Sequence, residues 1–234
     1  MRGSLLHGAD AVLFDLDGVL TPTADLHRRC WQEAFNSVSG AEHLSDAEYL
    51  ANIDGRPREE GVRLHLQARG VIGATDSAEE IVASVAQLKD DLFKGRLAEG
   101  TLQPYPGSIA FLGAVLDHGY QVAVVSSSRN ARAVLAAAGL SGHFEVVVDG
   151  VVAEREGLRG KPQPDMFSYA ASELSLPPTR CAAVEDASAG AESAYAAGCR
   201  PVIGVDRGGN ATALRHAGCE PVVTDLSELV GLGS

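Results

Sequence analysis

Apolar residues fall along this chain in short runs rich in Val, Ile and Ala, separated by stretches in which apolar and polar positions repeat with a helical period. The runs Ala11-Phe14, Gln121-Val125, Glu145-Val148, Cys181-Val184 and Pro201-Val205 predict strands. From the second run onward, segments of helical composition follow: Asn130-Ala138, Pro164-Leu174, Ala187-Ala197 and Asn210-Ala217, several stopping at a glycine such as Gly139, Gly198 or Gly218. Strands alternating with helices predict an α/β fold, a Rossmann-like doubly wound parallel sheet with right-handed crossovers and helices on both faces.

The rhythm breaks once. After Ala11-Phe14 the next strand arrives only after roughly a hundred residues, far beyond an ordinary connection. The interval reads as helical, with amphipathic stretches around His27-Phe35, Glu59-Ala68 and Ala78-Phe93. It therefore predicts an inserted α-helical cap domain at residues 22–101, set into a core made of residues 1–21 and 102–234. Gly18 to Ala24, and Gly100 to Gly107 with Pro104 and Pro106, are its two connections and candidate hinges. No repeat or low-complexity segment is present in the sequence.

Composition narrows the class. A chain of 234 residues with 45% hydrophobic and 21% charged residues suits one compact enzyme. The formal charge of −12 repels nucleic acid and acidic membranes, so any anionic ligand must be caught by local cations or helix N-termini. No apolar run approaches the roughly 20 residues of a membrane span, and Met1-Arg2-Gly3-Ser4-Leu5-Leu6-His7 holds no secretory apolar core, which predicts a cytoplasmic protein without membrane partners. Cys30, Cys181, Cys199 and Cys219 are scattered without metal-site spacing.

In an open parallel sheet, ligands sit beyond the carboxyl ends of the strands. Asp15 and Asp17 follow the first strand, Ser126 the second, and Glu185-Asp186 the fourth. Carboxylates meeting there would repel one another unless a cation lay between them, and oxygen-only ligands near phosphate point to Mg²⁺. A carboxylate such as Asp15 is a nucleophile toward phosphorus, and Asp17, two residues on, can carry the proton as general acid and base. An EF-hand loop from Asp15 fails, because Val19 and Leu26 stand at its fifth and twelfth positions. No dinucleotide fingerprint or Walker A loop is present, and Gly160-Lys161 lacks the preceding loop. Alone, Asp15-Leu16-Asp17-Gly18 reads as a turn.

The longer run Phe14-Asp15-Leu16-Asp17-Gly18-Val19-Leu20-Thr21, followed in order by Ser126, by Gly160-Lys161-Pro162-Gln163-Pro164-Asp165 and by Glu185-Asp186, resembles the haloacid dehalogenase superfamily. That resemblance implies that Asp15 is phosphorylated, that Asp17 is the acid/base, and that Ser126 and Lys161 hold the transferring phosphoryl group. It implies Mg²⁺ on Asp15, Asp186, the Asp17 carbonyl and Glu185, directly or through water. Read without it, Lys161 is a solvated surface lysine and Ser126 a strand-end serine.

Within the superfamily, Thr21-Pro22-Thr23-Ala24-Asp25-Leu26-His27, with Trp31 one turn later on the same helix face, looks like the opening of the beta-phosphoglucomutases. Asp54-Gly55-Arg56-Pro57-Arg58-Glu59-Glu60 resembles their cap loop, which implies that Gly55, Arg56 and Arg58 contact a phosphate distal to Asp15. Lys89 matches a cap lysine and Ser126-Ser127-Ser128-Arg129-Asn130 a substrate-binding stretch at a strand-to-helix junction, where backbone N–H groups also face an anion. Read alone, Lys89 is a solvated helix lysine, Thr23 a capping threonine, and Ser128 and Asn130 helix N-caps. Pro22, Asp54 and Gly61 depart from the mutase pattern. The resemblance implies a monomeric beta-phosphoglucomutase acting on a small phosphorylated sugar, with beta-D-glucose 1,6-bisphosphate as priming donor and intermediate. A sugar-phosphate phosphatase shares the core motifs, and a non-catalytic binding module would require a lost motif residue.

Overall fold

A computed structural model describes residues 4–73 and 78–231. The apolar runs form the strands β1 (Ala11–Phe14), β2 (Gln121–Val125), β3 (Val146–Val148), β4 (Cys181–Glu185) and β5 (Val202–Val205), and a further short strand, β6 (Val222–Val223), closes one edge. All pairs are parallel in the order β3-β2-β1-β4-β5-β6. The central strands sit in register, Phe14 level with both Val124 and Val184. Asp15 and Glu185 therefore emerge at one height, with Ser126 one residue further along its strand, and the Asp15 N–H donates to the Val184 carbonyl at 2.9 Å.

The long interval after β1 is helical: α1 (Ala24–Asn36), α2 (Asp46–Asn52), α3 (Arg58–Ala68) and α4 (Ala78–Glu99). These four have a core of their own, built from Trp31, Phe35, Ile53, Val62, Leu66 and Val82 among others. A capping box at Ser45 and Glu48 starts α2. The rest of the chain supplies α5 (Pro106–Asp117), α6 (Ala131–Ala137), α7 (Gly150–Glu156), α8 (Asp165–Glu173), α9 (Ser188–Ala197) and α10 (Ala211–His216). None of the described helices is long and apolar enough to cross a membrane.

Alternate residues of each strand face opposite layers. Val12, Phe14, Val124 and Val184 pack with α5 and α6, whereas Leu13, Ala123, Val125 and Ala183 pack with α7 to α10. Phe14 lies edge-to-face against Phe111 and Phe144, each at 6.1 Å between ring centres. Truncating such a residue costs about 3–5 kcal/mol, and here it would also loosen the strand end that aims Asp15.

The helices α6, α8, α9 and α10 each start one residue later than the pattern predicts, because Asn130, Pro164, Ala187 and Asn210 are their N-cap positions. Glu185 ends β4 rather than following it. The strand β6 and the helices α2, α5 and α7 were not singled out; β6 is only two residues long, too short for a periodic signal. Residues 1–3 and 232–234 of the expected core, and 74–77 of the expected cap, lie outside the described residues.

Candidate active site

The turn after β1 brings the first carboxylates together. Gly18 has φ +92°, a conformation that L side chains rarely adopt, and a Cβ there would collide with the Asp186 carboxylate. Ligand oxygens of Asp15, Glu185 and Asp186 lie within 4.8 Å of one another, all three residues buried. Burial, aided by Glu185 and Asp17, pushes the Asp15 carboxyl well above the usual carboxylate range even though Lys161 pulls it down. Burial and then Asp54, Asp15 and Glu185 do the same to Asp186. A divalent cation held by oxygen donors fits this trio, since it would relieve the repulsion that raises those pKa values.

Lys161 is 1% exposed, not a solvated surface lysine. Its ammonium donates to Asp15 Oδ1 at 2.6 Å, Glu185 Oε1 at 2.6 Å and the Val125 carbonyl at 2.9 Å. All three of its protons are used, and the two carboxylates raise its pKa against burial.

Asp17 is not in the trio. Its Oδ1 accepts from Thr23, which is hydrogen-bonded in turn to Thr21 at 2.8 Å, and lies 3.3 Å from His27 Nε2. Ser126 Oγ reaches the other oxygen at 3.4 Å. Although burial opposes it, His27, Thr23 and Lys89 hold the Asp17 carboxyl down at about 2. Lys89 Nζ meets His27 Nδ1 at 2.5 Å. Burial and Arg58 lower the Lys89 ammonium to about 8, and burial and Lys89 lower the imidazole. A lysine donating to Nδ1 leaves the Nε2 hydrogen of a neutral ring to face Asp17. Phe93 stacks on His27 at 4.0 Å, and Lys89 lies 5.3 Å over Trp31. Thr23 thus spends its hydroxyl on Asp17 instead of capping α1, and Lys89 is buried instead of solvated.

A cleft separates this wall from a basic one, and Asp15, Asp17, His27, Trp31, Arg56, Arg58, Lys89 and Arg129 all line it. Arg58 opens α3 and is bound to Asp90 at 2.8 Å, and Asn130 Nδ2 reaches the same oxygen at 2.7 Å. Asn130 therefore makes no side-chain cap to α6, whereas Ser128 Oγ accepts from the Asn130 N–H at 3.2 Å. Ser127 donates to the Gly55 carbonyl at 2.7 Å across the seam between the two walls. Gly55, at φ +71°, comes so near that a Cβ would lie 3.0 Å from that of Ala187. Arg56 pairs with Glu60 at 3.0 Å and Arg129 with Glu154 on α7 at 2.9 Å, so both guanidiniums are partly engaged.

Four positions escaped the sequence reading as site residues. Asp54, noted there only as a departure from the mutase pattern, lines the cleft; burial and then Glu185 raise its carboxyl to about 7, with Tyr49 hydrogen-bonded to it. Asp90 gave no local signal. Arg207 lies two residues beyond β5, within reach of the same strand-end rule; its Nε donates to the Gly18 carbonyl at 2.8 Å and its guanidinium stacks 3.7 Å over Tyr105. Asn210 Nδ2 donates to the Asp186 carbonyl at 2.7 Å.

Comparison with known proteins gives the family. Residues 9–198 match the haloacid dehalogenase-like hydrolases. A beta-phosphoglucomutase of Mycobacterium bovis is 40% identical over 94% of this chain and 91% of its own. The crystal structure of beta-phosphoglucomutase from Clostridium difficile superposes with a TM-score of 0.78 at 26% identity, covering 94% of this chain and 93% of that one. A CbbY variant from Rhodobacter sphaeroides in complex with xylulose-(1,5)bisphosphate gives 0.76 at 26%, covering 97% of this chain and all of the other, 100%.

Proposed function

We propose that this chain, which belongs to the haloacid dehalogenase-like hydrolases, is a beta-phosphoglucomutase that interconverts beta-D-glucose 1-phosphate and glucose 6-phosphate. Residues 1–21 and 102–234 form its catalytic core and 22–101 its cap. The observation that carries the reading is a single cleft lined by the carboxylates of Asp15, Asp17 and Asp186, with Lys161 bound behind Asp15, and by Arg58, Ser128 and Arg129, with Asn130 joined to Arg58 through Asp90. A mutase must hold two phosphates at once, and this cleft has an anion-binding end for each.

Asp15 carries the phosphoryl group. When the free 6-hydroxyl of glucose 1-phosphate attacks phosphorus, Asp17 takes the hydroxyl proton and the Asp15–phosphorus bond breaks, giving the 1,6-bisphosphate. After the bisphosphate turns end for end, Asp15 attacks the other phosphorus and Asp17 returns the proton to the departing sugar oxygen. At about 2, the Asp17 carboxyl stands ionised and ready to accept. Thr23 and the His27–Lys89 pair fix its orientation, and once Asp15 is phosphorylated the Lys161 proton now spent on its carboxylate joins Ser126 as a donor to the phosphoryl oxygens. Mg²⁺ on Asp15, Glu185 and Asp186, with the Asp17 carbonyl, would supply the positive charge that lets an anionic nucleophile meet an anionic phosphoryl group. Arg58, Arg56, Ser127, Ser128, Arg129 and Asn130 with Gly55 bind the distant phosphate, and Trp31 walls the sugar.

The test is product identification with anomerically pure beta-glucose 1-phosphate, Mg²⁺ and a trace of glucose 1,6-bisphosphate. Stoichiometric glucose 6-phosphate is expected. Rapid release of inorganic phosphate without glucose 6-phosphate would replace this reading with the second one, a sugar-phosphate phosphatase, which the likeness to a CbbY holding a sugar bisphosphate supports.

A further inference from the structure

Asp90 lies on α4, beside Lys89, with a buried carboxylate. Oδ1 accepts from Arg58 Nη2 at 2.8 Å and Asn130 Nδ2 at 2.7 Å, and Oδ2 pairs with Lys94 Nζ at 2.7 Å. The side chains of Asp90 and Arg58 are 9% and 12% exposed, so water competes little for these bonds. The donors come from both walls of the cleft. Arg58 and Lys94 belong to the inserted helical unit, whereas Asn130 stands at the head of α6 in the core. The Asn130–Asp90 bond therefore crosses the seam, as Ser127–Gly55 does on the neighbouring loop.

Asp90 takes one N–H from each partner. Arg58 keeps the other N–H groups of its five-donor fork, and Asn130 the second hydrogen of its amide. Both residues are those assigned above to the distant phosphate. A carboxylate that anchors two phosphate donors by one hand each leaves their free hydrogens directed rather than mobile, which reduces the ordering cost of binding an anion there.

We propose that Asp90 is the latch of the cleft and a positioning residue: it joins the two walls through Asn130 and holds Arg58 ready for the distant phosphate. The latch stands on geometry alone, whereas its catalytic consequence rests on the mutase reading. A closed cleft keeps water from phosphorylated Asp15, so weakening the latch shifts turnover from transfer to hydrolysis.

The test uses the full chain and its one tryptophan, Trp31, which is 5% exposed and lines the cleft. Acrylamide quenching of Trp31 without substrate reports opening. Asn130→Asp sets two carboxylates against each other at the seam, and the swap Asp90→Asn with Asn130→Asp restores one donor and one acceptor. Losing a hydrogen bond to a charged group moves an equilibrium about tenfold to a hundredfold, so Asn130→Asp is expected to quench markedly faster and the swap to return toward wild type. In turnover, Asp90→Asn is expected to raise the ratio of inorganic phosphate to glucose 6-phosphate about tenfold and to raise KM more than it lowers kcat. Wild-type quenching in Asn130→Asp, or a swap that quenches like the single variant, overturns the latch. Should Asn130→Asp fail to fold by circular dichroism, Asp90→Asn alone decides by the same quenching. If the wild type forms no glucose 6-phosphate, the mutase reading falls while the quenching still judges the latch.

Discussion

Replacing Lys161 with Met removes the cation that bridges Asp15 and Glu185 while nearly preserving side-chain volume. It strands two buried carboxylates and leaves the Val125 carbonyl without the ammonium at 2.9 Å. Removing one partner of a buried ion pair costs about 3–5 kcal/mol. For a chain of this size each kcal/mol moves the melting temperature by about 2–4 °C, so the variant is expected to melt about 6–20 °C below wild type in EDTA. The deficit must depend on pH. Asp15 already titrates well above the usual carboxylate range and Lys161 is what restrains it, so the folded variant retains a proton that the unfolded chain releases. Stability then falls as pH rises through that widened window, making the deficit larger at pH 8 than at pH 5. Mg²⁺ should recover most of it by substituting one cation for another. Calorimetric melts at both pH values, with EDTA and with Mg²⁺, decide. A variant that melts within about 2 °C of wild type in EDTA at pH 8 would refute the argument.

His27→Gln should release Asp17 from its value of about 2, lower kcat about tenfold to a hundredfold and move the acid limb of the rate profile to higher pH, because a less depressed carboxylate protonates sooner as pH falls; an unmoved limb contradicts this. Gly18→Ala combines a φ of +92° with a clash against Asp186, so calorimetric titration should show weakened Mg²⁺ binding alongside a loss of more than about 1 kcal/mol in stability. His65 is buried beside Phe35, and burial, with Arg69 nearby and despite Glu48, lowers its pKa below the ordinary 6.5. The stability it permits at neutral pH is therefore lost as pH falls below that value, and His65→Leu should flatten the urea midpoint between pH 7 and pH 5.

The residues at strand ends were legible because parallel strands deliver their next residue to one edge of the sheet. The apolar runs before Asp15, Ser126 and Glu185 put them at that edge, and the ordered motifs together separated Asp15-Leu16-Asp17-Gly18 from a plain turn. Lys161 was legible only through its motif, since a loop lysine has no periodic partner, and its burial arises when that loop folds over β1 and β4. His27 and Trp31 announced a shared helix face, but the lysine completing their arrangement lies more than sixty residues away on α4. Asp90 was silent for the same reason. In the run Lys89-Asp90-Asp91 it looks like any solvated charge, and only the docking of α4 against the N-terminus of α3 and the head of α6 buries it. Asp54 stands out in the sequence only as a departure from the mutase pattern, yet the fold turns it inward among the carboxylates, where burial and then Glu185 give it a pKa of about 7.

The measurement closest to the central claim follows the phosphorus of the substrate through one turnover. Beta-glucose 1-phosphate carrying labelled phosphorus is mixed with enzyme primed by unlabelled bisphosphate, quenched with acid, and the peptides and products are separated. The account predicts label on the peptide containing Asp15, unlabelled phosphate on carbon 6 of the product, and no labelled peptide from Asp15→Asn. Label appearing as free phosphate, with glucose 6-phosphate absent or the Asp15 peptide bare, would contradict it.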